Sequence, residues 1–85
     1  LGAYVSMGDA FKVETEGGEL VAYYKDTILK TPTERYTLGG LEDDFFYGFN
    51  ADGEVALEVQ FKGRQENGRY SYLFSGGHLR KRLLE

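Results

Sequence analysis

The chain has 85 residues, 41% hydrophobic and 28% charged, with a net charge of −4 and no cysteine. A single domain of this size buries only about 60% of the surface its unfolded form exposes, so its core must be built economically. The missing cysteine excludes a disulfide framework, a cysteine zinc site and a thiol nucleophile. The acidic balance argues against a nucleic-acid partner, and no apolar run reaches membrane-spanning length, so no membrane insertion is expected.

Leu1 is not an initiator, and no basic-then-apolar leader is present. The expected organisation is one domain over residues 1–83, cut from a longer protein, with Leu84-Glu85 either a scar of cloning or native. The compartment stays open.

Apolar and polar residues alternate with period two almost throughout, which predicts strands. They fall near 3–7 (with Met7 inside), 10–16, 19–25, 27–30, 35–38, 44–50, 54–62 and 69–75. The segment 78–83 fits a last strand or a short helix equally well. Turn chemistry separates the strands. Glu16-Gly17-Gly18-Glu19 fits a two-residue hairpin whose central positions need positive φ. Thr31-Pro32-Thr33-Glu34 marks a turn or an edge, because proline has no N–H to donate. Asn50-Ala51-Asp52-Gly53 fits a type I turn closed by a glycine bulge, and Glu66-Asn67-Gly68 closes a further hairpin. Consecutive hairpins of this kind make an all-β antiparallel meander of about eight strands, which closes into a small barrel or half-barrel and so removes its edges.

Pairing registers follow from the turns. The Gly17-Gly18 hairpin sets Phe11 against Tyr24, Val13 against Ala22 and Thr15 against Leu20. Pairing Asn50 with Glu54 sets Phe49 against Val55, Tyr47 against Leu57 and Phe45 against Val59. Pairing Lys62 with Arg69 sets Phe61 against Tyr70, Val59 against Tyr72 and Leu57 against Phe74. The predicted core is therefore Phe49, Leu57, Val59, Phe61, Tyr72 and Phe74. The same alternation puts Phe46, Ala56 and Leu73 outside, around Glu58. A second outward group is Val21 and Tyr23, beside Lys12 and Glu14. These residues form the candidate docking surface. In the competing arrangement Leu79 and Leu83 lie over Phe46 and Leu73 from within the chain.

Chemistry-bearing residues are sparse. His78 is the single histidine, and a lone loop histidine is usually a surface residue. Ser6, Ser71 and Ser75 have no neighbour in sequence that activates a hydroxyl, and no nucleophile-elbow or Ser-x-x-Lys pattern occurs. Asn50 to Glu54 mimics part of a calcium loop but is too short and runs straight into a strand. No glycine loop cradles a phosphate. No cofactor, metal or catalytic residue is implied. The basic run Arg80-Lys81-Arg82 reads as a solvated tail.

The order of features is similar to one family. The chain opens Leu1-Gly2-Ala3-Tyr4 and continues with Phe11-Lys12-Val13-Glu14, Gly18-Glu19-Leu20, Asp44-Phe45-Phe46 and Phe49-Asn50-Ala51-Asp52-Gly53-Glu54-Val55. This resembles the small C-terminal β-domain appended to serine hydrolases of the β-lactamase and penicillin-binding-protein fold. The resemblance implies a lipocalin-like barrel that is itself non-catalytic and packs beside a hydrolase domain. The family's Ser-x-x-Lys, Tyr-x-Asn and Lys-Thr-Gly type motifs are missing here, so no catalytic residue carries over. The implied partner is the catalytic domain of the same polypeptide or a second copy of the chain. The loop expected to reach the cleft is Gly39, Gly40, Leu41, Glu42 and Asp43. Two other readings stay open, a barrel holding an apolar ligand and an oligomerising structural module.

Overall fold

A computed structural model describes residues 2–42, 44–66 and 68–83. Eight strands follow one another: β1 (Gly2–Val5), β2 (Asp9–Glu16), β3 (Glu19–Asp26), β4 (Glu34–Glu42), β5 (Phe45–Phe49), β6 (Val55–Arg64), β7 (Tyr70–Ser75) and β8 (His78–Arg82). Each pairs antiparallel with the next, and β8 returns to β1 to close a barrel. The all-β meander expected from the alternation is what forms, and 78–82 is a strand. The closing seam is short: Tyr4 pairs with Arg82, Val5 with Lys81, and the Leu83 amide donates to the Ala3 carbonyl.

The β2–β3 hairpin has the register read from its turn, with Phe11 opposite Tyr24, Val13 opposite Ala22 and Thr15 opposite Leu20. Gly17 and Gly18 have φ of +58° and +84°, as a two-residue turn that follows the strand twist requires. The Asn50 side chain accepts from the Asp52 and Glu54 amides, and Gly53 takes the positive φ that closes that turn. Residues 27–30 form turns instead of the strand expected there. The Asp26 carboxylate accepts from the amides of Ile28 and Leu29, which holds the backbone away from a ladder. Met7 lies in the β1–β2 loop and is fully exposed, not inside a strand.

Two irregularities change faces. Phe49 pairs with Val55 as expected, but Gly48 pairs with Leu57, leaving Ala56 as the extra residue of a β-bulge. Beyond it Phe46, not Phe45, meets Val59, so Phe46 turns inward and Phe45 and Tyr47 turn outward. Gly48 permits this shift. A Cβ there would lie 2.5 Å from Leu57 Cδ1, so only glycine leaves room for that side chain. In the next hairpin Lys62 pairs with Tyr72 rather than Arg69. The offset is odd, and an odd offset exchanges the faces of β7. Leu73 enters the core with 0% exposure, while Tyr72 and Phe74 point outward.

Large side chains occupy the interior. Tyr4, Phe11, Val13, Ala22, Val59, Phe61 and Leu73 form the buried cluster, with Leu20, Tyr24, Leu38, Phe46, Leu57 and Tyr70 packed against it. The Phe61 ring touches those of Tyr4, Phe46 and Tyr70 at centroid distances of 5.9, 5.7 and 5.6 Å. Of the predicted core, Val59, Phe61 and Leu57 are inside, and Phe49, Tyr72 and Phe74 are not.

Candidate functional site

Two surfaces concentrate polar or apolar groups that chemistry could use: the barrel mouth near Asp9 and the outer wall of β5 to β8.

At the mouth, alternation along β8 sends Arg80 inward, where it is 4% exposed, so the basic run is not a solvated tail. Its Nε and Nη2 donate to the two oxygens of Asp9 at 2.9 and 2.6 Å. Nη1 donates to the carbonyls of Ser75 and His78, and the guanidinium lies 4.9 Å from the Phe11 ring centroid. Asp9 also accepts from the hydroxyls of Ser6 and Tyr24. Hydrogen bonding by Arg80 outweighs the opposing effect of burial and holds the Asp9 carboxyl at about 2, below the usual carboxylate range. Every oxygen of this carboxylate is spoken for, so the cluster ties β2 to β8 and leaves no base free to act. Among the described residues there is no grouping of carboxylates and histidine suited to a metal ion.

The outer wall is built by the bulge and the odd offset. Register places Phe45, Gln60, Phe74 and Leu79 in one row across four strands. Tyr47 and Glu58 form the next row, and Phe49 and Val55 the row after that. Lys62, Tyr72 and Lys81 flank the first row on its other side. Val55 and Leu79 are 55% and 50% exposed, and the phenylalanines are half-buried. Phe45 and Tyr47 meet edge to face at 6.2 Å, and Phe49 lies over Gly39, where a Cβ would come within 2.8 Å of its ring.

The docking residues expected from the sequence are thus dispersed. Phe46 and Leu73 are inside the barrel, through the bulge and the odd offset described above. Leu79 and Leu83 do not cover them and are themselves exposed. Val21 is outward but has 0% exposure. It sits between the rows of Glu16 and Tyr23, whose hydroxyl donates to Glu16, and Arg35 reaches the same carboxylate at 3.1 Å. These contacts run across Val21 and shut it off. Hydrogen bonding lowers the Glu16 pKa and raises that of Tyr23. Only Ala56 and Glu58 remain in the open, with Tyr23 half-buried. The expected cleft loop is a strand: Gly39, Gly40 and Glu42 belong to β4 and pair with Tyr47, Phe46 and Phe45. Asp43 and the Leu41 side chain lie outside the described residues.

Sequence reasoning missed Asp9, Arg80, Phe45 and Phe74. The signal for Arg80 was present, since in a strand His78, Arg80 and Arg82 share one face. The signal for Phe45 was Gly48, the residue whose missing side chain allows the β5–β6 pairing to slip, whereas Phe74 is turned outward by the odd offset of the β6–β7 hairpin. No protein-family model matches the chain, and no curated protein is significantly similar to it.

Proposed function

We propose that this barrel is a non-catalytic, lipocalin-like accessory domain that packs beside a serine hydrolase domain of the β-lactamase and penicillin-binding-protein fold and helps to shape its substrate cleft. The observation that carries the reading is the outer wall of β5 to β8, where Phe45, Phe74, Val55, Tyr72 and Leu79 share one face. An apolar wall of this kind on a small domain marks an interaction surface. The resemblance of the Gly2-Ala3-Tyr4, Asp44-Phe45 and Phe49 to Val55 segments supplies the identity of the partner. The side chains clustered in the interior support docking over storage of an apolar ligand, because an eight-stranded barrel holds either side chains or one small ligand.

The test has two arms. Reading the coding sequence upstream of Leu1 should reveal a Ser-x-x-Lys box; a continuous reading frame without one removes the hydrolase partner. In the full-length protein, Phe74→Ser or Leu79→Ser should release the barrel from its neighbour, seen as new protease cleavage between the domains, while the isolated barrel melts as before. An isolated barrel that loses stability equally would mean that these side chains serve the fold and not docking.

A further inference from the structure

We propose that the groove between Phe45 and Phe74 is a binding site for an organic cation on a hydrocarbon stem, of the alkylammonium or guanidinium class. This inference takes the same wall as the accessory-domain reading, needs no second domain, and is tested on the isolated chain. The groove encloses about 240 Å³ and is lined by Phe45, Glu58, Gln60, Phe74, Ser75 and the Gly76-Gly77 turn. That is below the ~300–1,000 Å³ typical of sites for drug-sized ligands, so the occupant is one small group.

Three features select its chemistry. Phe45 and Phe74 both pair with Gln60, one from each side, so the strands that carry the two rings run about 10 Å apart, twice the spacing of adjacent strands. They offer apolar walls to a stem and ring faces to a cation. Glu58 lies one row along the same face, is exposed, and its carboxylate has no hydrogen-bond or ion-pair partner among the described residues. The third feature is Lys62, whose ammonium already lies 5.5 Å from the Phe74 centroid. The protein thus places its own alkylammonium on one side of this ring and leaves the side toward Glu58 open. At the groove's end, Gly76 and Gly77 have no atoms within 4 Å of where a Cβ would stand, so the entrance is clear. A ring pair beside an unneutralised carboxylate disfavours anions and gives a neutral group no charge to pair with.

The experiment is a titration of the ¹⁵N-labelled chain, followed by amide resonances, with N-acetyl-lysine methylamide, its arginine counterpart, N-acetyl-norleucine methylamide and ammonium chloride. The norleucine probe has the stem without the charge, and ammonium the charge without the stem. The lysine or arginine probe should give saturable shifts at Glu58, Gln60, Gly76 and Gly77. Each control should bind at least about fivefold more weakly, as expected for a cation–π contact plus an exposed ion pair. Glu58→Gln should weaken the cationic probes by a similar factor, and Lys62→Gln should strengthen them by removing the internal competitor. Both positions are exposed, so an unchanged melting curve verifies the fold. Equal binding of the norleucine probe, unchanged binding by Glu58→Gln, or the absence of saturable shifts in the groove would each overturn the proposal.

Discussion

On the β2 to β4 side of the barrel the outer face is stitched together by its own polar side chains. Lys12 pairs with Glu14 at 3.0 Å, and Tyr23 and Arg35 converge on Glu16 across Val21. On the β5 to β8 side, aromatic and aliphatic residues line the same kind of pleated surface, and no ion pair among the described residues spans it. Both walls carry an outward valine, Val21 on the first and Val55 on the second. One is fully covered and the other is 55% exposed. The difference lies in the neighbours: long polar side chains that bond one another lie over what stands between them, whereas rings standing side by side leave gaps. A wall closed by its own residues has little left for a partner, and a wall left open has area to bury.

The largest effect that would break this comparison comes from the neighbouring pair Leu73 and Phe74. Leu73→Ala should cost about 2–5 kcal/mol, and Phe61→Ala about 3–5 kcal/mol, as buried large-to-small changes do. Phe74→Ala should stay within about 1 kcal/mol. Denaturant melts of the three decide it, and a sensitive Phe74 beside a tolerant Leu73 would exchange the two walls.

Acid probes the link between the walls, because Asp9 belongs to β2 and Arg80 to β8. The Asp9 pKa falls on folding, from 3.8 to about 2. Its contribution, about 2 kcal/mol, is therefore fully present above pH 4 and lost as the pH falls through the folded value. Melting curves between pH 5 and pH 2 should show this loss, and Asp9→Asn should be less stable at neutral pH with a flatter acid profile.

Smaller effects sharpen the contrast. Val21→Ala should cost about 1–2 kcal/mol, because it empties a covered site, and Val55→Ala about 0.5 kcal/mol or less. Tyr23→Phe removes one hydrogen bond to Glu16 and should lower the melting point less than Val21→Ala does. Its thermal melt should also become less dependent on salt if the Glu16 cluster acts as a unit.

How far the sequence could be read differs between the same two regions. The β2–β3 register was legible because Gly17-Gly18 admits only a tight turn, and a tight turn leaves one pairing. The β5–β6–β7 registers were not, because Phe45-Phe46 and Leu73-Phe74 place apolar residues on both faces. Alternation then has two solutions, and the choice falls to volume. An interior that already holds Tyr4, Phe11 and Phe61 accepts Phe46 and Leu73 only where Gly40 and Gly48 face them or their neighbours. That is a property of the closed barrel, which no single hairpin reveals. The candidate surface was misplaced for the same reason, and the barrel itself was legible because it depends on strand succession and not on face.

The seam between β1 and β8 gives the chain a circular character. Seven of the strand pairings join neighbours in sequence, and the eighth joins the first strand to the last. With Leu83 hydrogen-bonded to Ala3, a short linker between those ends turns the seam into one more local hairpin. New ends opened in the exposed 27–33 loop would then leave every pairing in place. In the natural order the seam closes against the entropy of almost the whole chain; in the permuted order that cost passes to β3 and β4, which have four register pairs against the seam's two, so more of the ladder becomes long-range and folding should slow.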